Sequence, residues 1–194
     1  FGDDGTAGGG FAYANFQAWS WANYDGLLFV GIARLSGGCR IMYTATGSAA
    51  DGAWTYAVGG DNPTYADGFG DVNNIAFNLF TYGGALYAGS LANSQLNDGG
   101  PVDGGDIWKA TGSGSNLTWT RVTGNGFGDN NTVAFEAFTV YNGSLYVAGS
   151  NMVPSQVWGE EPAVYSGAKI YRLVVPPAEC GNGIIEPGEQ CEQD

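Results

Sequence analysis

The chain has no histidine, and that absence narrows the chemistry open to it. Imidazole is the commonest general base near neutral pH, and Ser-His-Asp and Cys-His nucleophiles and His-ligated zinc all need it. Carboxylates and thiols remain. Three aspartates recur in one setting: Phe1-Gly2-Asp3, Phe69-Gly70-Asp71 and Phe127-Gly128-Asp129, each leading into Asp4, Asn73-Asn74 or Asn130-Asn131. Oxygen-rich loops of this kind suit Ca²⁺. The same residue types also close turns by accepting hydrogen bonds from backbone N–H groups. Both readings of Asp3, Asp71 and Asp129 stand on sequence alone, and Ca²⁺ is the one cofactor they suggest.

Glycoside hydrolysis needs two carboxylates facing across a bond. Glu136 is the only glutamate inside a strand pattern, Glu160-Glu161 falls in a loop, and Glu179, Glu186 and Glu189 accompany cysteines near the end of the sequence. The basic residues are scattered, with no arginine cluster. The expectation is therefore a protein that is not an enzyme; an acid glycosidase would have to work through Glu136. Cys39 has no base to activate it and reads as a small core residue or a partner for a distant cysteine. Cys180 and Cys191 lie eleven residues apart in a disulfide-like module, which predicts an oxidising, extracellular or cell-surface setting.

Nineteen acidic residues against six basic ones give a net charge of −13. Such a surface repels phosphate backbones and anionic bilayers, so no nucleic-acid partner is expected. No apolar run approaches the roughly 18 residues of a membrane span, so no membrane insertion is expected. Thirty-four glycines accompany 14% aromatic residues, the balance of many short strands joined by tight turns. Asn116, Asn130 and Asn142 head N-glycosylation sequons.

These elements belong to an internal repeat of about 60 residues. After each Phe-Gly-Asp comes a Tyr-led turn and a short apolar strand: Tyr24-Asp25-Gly26-Leu27-Leu28-Phe29, then Tyr82-Gly83-Gly84-Ala85-Leu86-Tyr87, then Tyr141-Asn142-Gly143-Ser144-Leu145-Tyr146. Asn142-Gly143 is a strong hairpin signal. A third strand follows at Gly38-Cys39-Arg40-Ile41, Gly105-Asp106-Ile107-Trp108 and Gly167-Ala168-Lys169-Ile170. A fourth, with Trp-Thr, appears at Trp54-Thr55 and Trp119-Thr120 but not in the last copy, where Pro176-Pro177 intervenes. Four antiparallel strands per repeat is a propeller blade, apolar on both faces and in need of neighbours. Trp19, Phe77, Trp108 and Trp119 are expected to fill the wedges between blades.

The sequence thus predicts an all-β, β-propeller-type array of about three four-stranded antiparallel blades over residues 1–175, the copies starting near 1, 69 and 127. Residues 176–194 form a Pro-led linker and a partial cysteine-rich module. Three blades fall short of the usual four to eight, so further blades or a second chain are expected to complete the ring. The segments 93–105 and 151–166 are the longer connections. Asn93, Asn151, Trp158 and Tyr165 are the residues expected to contact a ligand there, the aromatics by stacking on sugar rings.

The blades resemble propeller repeats of the kelch, tachylectin and sialidase-like group. Ser48-Ala49-Ala50-Asp51-Gly52-Ala53-Trp54 is similar to the Asp-box of that group, with the Asp three residues after the Ser and the Trp two after the Gly. Such hairpins imply fold rather than activity. Cys180-Gly181-Asn182-Gly183-Ile184-Ile185-Glu186-Pro187-Gly188-Glu189-Gln190-Cys191 resembles the opening of the Myxococcus-type cysteine-rich repeat, departing from it at Glu192-Gln193-Asp194. That resemblance implies a secreted or surface-anchored bacterial protein. The functional expectation is a binding or adhesion propeller for a carbohydrate or a surface protein. The alternative is a self-assembling structural subunit of a surface layer or filament.

Overall fold

The computed structural model describes residues 17–48, 52–92, 104–113, 116–152 and 165–173. Asp3, Asn93, Trp158, Cys180 and Cys191 lie outside them. The described chain is all-β and every strand pairing is antiparallel. β1 (Gln17–Tyr24), β2 (Leu27–Ala33), β3 (Arg40–Thr44) and β4 (Thr55–Val58) pair in sequence order. β5 (Asn74–Tyr82), β6 (Ala85–Ala92), β7 (Ile107–Ser113) and β8 (Asn116–Thr123) repeat that meander. β9 (Thr132–Tyr141), β10 (Ser144–Met152) and β11 (Tyr165–Arg172) form three strands of another. A single bridge, Leu91 opposite Ala134, makes one sheet of the second and third meanders.

Each meander opens on a two-residue hairpin, and both loop residues have positive φ, as at Asn142 (47°) and Gly143 (72°). That is the turn whose twist matches the flanking strands. The three hairpins lie at one end of the strands, and the two described Phe-Gly-Asp segments, which precede β5 and β9, lie at the other.

The meanders pack face to face. Phe29, Ile41 and Val58 of the first meet Phe77, Leu86 and Trp119 of the second in one buried cluster. Tyr87 and Ile107 of the second meet Phe135, Leu145 and Val147 of the third in another. Each such side chain contributes about 1.5–3 kcal/mol by leaving water. Of the four expected wedge aromatics, Phe77 and Trp119 are buried there and Trp108 packs against them. Trp19 packs instead on a smaller cluster around Ile75, Leu91 and Val133.

Repeated contacts set how the meanders meet. A Cβ on Gly31 would lie 2.4 Å from the Phe77 carbonyl oxygen, and one on Gly89 would lie 2.7 Å from the Phe135 carbonyl oxygen. Only glycine permits that approach. The Ser20 hydroxyl donates to the Phe77 carbonyl (2.6 Å) and accepts from the Leu79 N–H (3.0 Å). At the hairpin end, the Tyr24 hydroxyl lies 3.2 Å from the Gly84 carbonyl oxygen and 2.7 Å from that of Gly112. Tyr82 donates in the same way to the Gly143 carbonyl of the next hairpin. Tyr141, the third member of this series, is 65% exposed.

Ile107 sits opposite Gly89 and Ile170 opposite Ala148, each the fifth residue after its hairpin, so the two isoleucines hold the same place in successive meanders. Ile107 is buried against the third meander, whereas Ile170 is on the outer face of the row and is 76% exposed. The one extra residue between hairpin and glycine in β10 is taken up by an irregularity at Ala148/Gly149 in its pairing with β9.

Replacing Gly31 or Gly89 with Ala forces a methyl group into a backbone carbonyl. Each variant is expected to lose about 1–3 kcal/mol of stability in urea unfolding. Tyr82→Phe is expected to lose about 1 kcal/mol, the net value of one hydrogen bond.

Candidate functional site

The two described Phe-Gly-Asp segments fold alike. In Asp67–Gly70, Gly68, Phe69 and Gly70 have φ of 61°, 59° and 89°. In Asn125–Gly128, Gly126, Phe127 and Gly128 have φ of 62°, 61° and 83°. The Gly68 N–H donates to the Cys39 carbonyl (2.7 Å), and the Gly126 N–H donates to the Gly105 carbonyl (2.9 Å). A phenylalanine at positive φ costs about 1–3 kcal/mol, and aromatic packing offsets it at about 0.5–1.5 kcal/mol per pair. Phe69 stacks on Trp108 (4.1 Å between ring centres) and meets Phe77, Trp119 and Tyr65 edge-on. Phe127 stacks on Tyr171 (4.2 Å) and meets Phe135 edge-on, and it stays 45% exposed.

The aspartates after these phenylalanines close turns. Asp71 Oδ1 accepts the Asn73 N–H (2.9 Å), and Asp129 Oδ1 accepts the Asn131 N–H (3.0 Å). Asp129 Oδ2 accepts from Asn151 Nδ2 (3.0 Å) and from the Lys169 ammonium. The Lys169 hydrogen bond, followed by the Asn131 N–H, holds the Asp129 carboxyl below its usual range. Among the described residues, no three acidic or thiol side chains gather in a metal-holding group. Asp71 and Asp129 sit in separate turns.

Asn151 belongs to β10 rather than to a loop. It is buried, and its Nδ2 donates to Asp129 Oδ2 and to Thr132 Oγ1 (3.2 Å). The sequence reading missed this because a strand residue that satisfies a neighbouring turn looks like any turn asparagine. The Tyr165 backbone pairs with Met152 at the base of the connection between β10 and β11. Cys39 is a buried free thiol, and burial pushes its pKa well up.

Charge pairs between residues distant in sequence brace the same end. Asp67 Oδ1 accepts from Arg40 Nε (2.8 Å) and the Gly60 N–H (2.7 Å), and Oδ2 accepts from Arg40 (3.0 Å) and Arg34. Burial alone would raise the Asp67 pKa. The hydrogen bonds from Arg40 and Gly60, with both guanidinium charges, outweigh that and hold it low. In the next repeat, buried Asp106 accepts from Arg121 and from the Asn125 N–H (3.2 Å).

A cleft of about 280 Å³ opens between the outermost strands β4 and β8, lined by Tyr56, Asn62, Thr64, Tyr65 and Asn116. Asn62 shapes it: its Nδ2 donates to the Tyr56 and Ala57 carbonyls, and its Oδ1 accepts the Thr64 and Tyr65 N–H groups. Tyr65 is fixed by the Trp119 N–H, which donates to its hydroxyl (3.0 Å). Sequence reasoning passed these residues over because Tyr56 and Tyr65 belong to one repeat and Asn116 to the next. Elsewhere, the Trp54 indole donates to the Ser48 carbonyl (3.0 Å). Glu136 Oε2 accepts from Ser150 (2.8 Å). The chain matches no protein-family model, and no curated protein sequence matches it.

Asp67→Asn leaves two half-covered guanidinium groups without their anion and is expected to cost about 1.5–3 kcal/mol at pH 7. The carboxyl's pKa is depressed by folding, so its contribution is complete above the ordinary value of 3.8 and is lost as pH falls through the lower folded value. Urea unfolding of wild type and variant should therefore converge as pH falls below 3.8. Excess chelator or millimolar Ca²⁺ is expected to leave thermal unfolding unchanged, since a bound ion would raise stability by mass action.

Proposed function

We propose that the chain is part of a β-propeller, that each meander is one blade, and that it acts as a non-catalytic extracellular binding protein for carbohydrate. The observation that carries the ligand reading is the cleft between β4 and β8. Two half-buried tyrosine faces beside amide and hydroxyl groups are the mixture that holds a sugar ring, apolar on its faces and polar at its edge. The blade reading rests on the recurrence of the same three joints: glycine against carbonyl, tyrosine against hairpin, and phenylalanine turn against the facing sheet. An extracellular setting is supported by Asn116, Asn130 and Asn142, whose sequon side chains are all exposed.

A second reading, a self-assembling structural subunit, is favoured by the outer faces of the row. At one end Trp21 is 45% exposed beside Trp54, and at the other Val140, Tyr141 and Ile170 are exposed. Patches of this kind, unlike each other and at opposite ends, join head to tail into rings or filaments.

Glycan-array retention tests the first reading: binding is expected to fall at least tenfold on Tyr56→Ala, and the absence of any retained glycan overturns it. Electron microscopy and light scattering test the second. Rings or polymers that dissolve on Ile170→Lys support it, and a monomer at all concentrations removes it.

A further inference from the structure

The Tyr56 ring, a wall of the cleft between β4 and β8, is held by two neighbours. The Arg40 guanidinium carbon stands 5.3 Å from the ring centre, within cation–π range. Arg40 Nη1 lies 3.4 Å from the Tyr56 hydroxyl. Gly60 packs so closely that an added Cβ would lie 2.5 Å from the ring. Asp67 fixes both neighbours, taking Arg40 through Nε and Nη2 and Gly60 through its N–H.

The second repeat shows the same brace without a cleft. Ile41 lies opposite Gly31 and Ile107 opposite Gly89, so Arg40 and Asp106, one residue before them, hold the same place in successive third strands. On the fourth strands Tyr56 lies opposite Met42 and Arg121 opposite Trp108, each just past an irregularity in the pairing. Tyr56 and Arg121 therefore correspond as well. Asp67 and Asn125 open the two phenylalanine turns. In the second repeat the carboxylate sits on the third strand, where Asp106 accepts from Arg121 of the fourth strand and from the Asn125 N–H. In the first repeat these roles are redistributed. The guanidinium is on the third strand and the carboxylate at the turn, which leaves the fourth-strand position free to carry a phenol ring. The connection from fourth strand to turn, residues 59–66, is reduced to Gly124 in the second repeat. Bracing a turn thus does not require a guanidinium over a tyrosine, and the first repeat has that contact where the cleft stands.

We infer that Arg40 is a positioning residue of the cleft, fixing the Tyr56 ring for the ligand, and that Asp67 holds Arg40 in place for that task. This rests on the sugar reading of the cleft. The side chains lining it are all uncharged, so neutral oligosaccharides are the fitting probes.

The test compares retention of the whole protein on immobilised neutral oligosaccharides of glucose, galactose and mannose. Arg40→Met keeps the apolar stem and leaves Asp67 with Arg34 and the Gly60 N–H. It is expected to weaken retention at least tenfold. Added to Tyr56→Ala it is expected to weaken retention no further, because a residue that acts through the ring has nothing left to position. Arg40→Lys keeps a cation beside Asp67 but not the planar group over the ring; it is expected to behave alike and serves if the first variant does not fold. In protein with ¹³C-labelled tyrosine, the Tyr56 ring signals, identified by Tyr56→Phe, are expected to move in Arg40→Met without any sugar. Unmoved signals, undiminished retention, or equal weakening with and without Tyr56 each overturn the inference and leave the sugar reading standing. Absence of retention by the wild type removes the inference together with the reading it rests on.

Discussion

A four-stranded meander with apolar side chains on both faces has no way to bury them by itself, and every other feature of this molecule answers to that constraint. The middle meander shows the solution. Phe77, Leu86 and Trp119 bury toward the sheet before it, and Tyr87 and Ile107 toward the sheet after it. With each of these side chains contributing on the order of 1.5–3 kcal/mol, the joints between sheets hold more of the stability than the hairpins that define each sheet. Sheets at the ends of such a row keep one greasy face, as Trp21 and Ile170 show.

The phenylalanine turns convert this lateral packing into chain geometry. A strained backbone at Phe69 and Phe127 persists because the ring it projects is wanted in the joint. Charged side chains then pin the turns from outside: Arg34 and Arg40 hold Asp67, and Lys169 holds Asp129. These groups are partly covered, so their attraction is screened less than that of fully exposed pairs. The two described aspartates of the Phe-Gly-Asp repeat thus take part in the architecture of their turns.

Much of the fold was legible in the sequence because its signals are local. Asp25-Gly26, Gly83-Gly84 and Asn142-Gly143 each announce a hairpin within two residues, and the strands follow from alternation around them. What was not legible depends on residues far apart in the chain. No local pattern tells that Asp67 meets Arg34 and Arg40, or that Asp106 meets Arg121. Nor does one show that Tyr56 and Tyr65 share a cleft with Asn116. Asn151 was misread as a loop residue because its partners, Asp129 and Thr132, sit two strands of sequence away.

The joints at Gly31 and Gly89 are made by main chain against main chain. Such a contact is blind to the chemistry of the surrounding side chains. The angle at which one copy meets the next is therefore insulated from mutational drift in everything except those few small positions. That insulation gives a reason why copies as unlike as Leu27–Ala33 and Ser144–Met152 still occupy the same place in successive units, and it leaves the outer strands and connections open to diversify without bending the array.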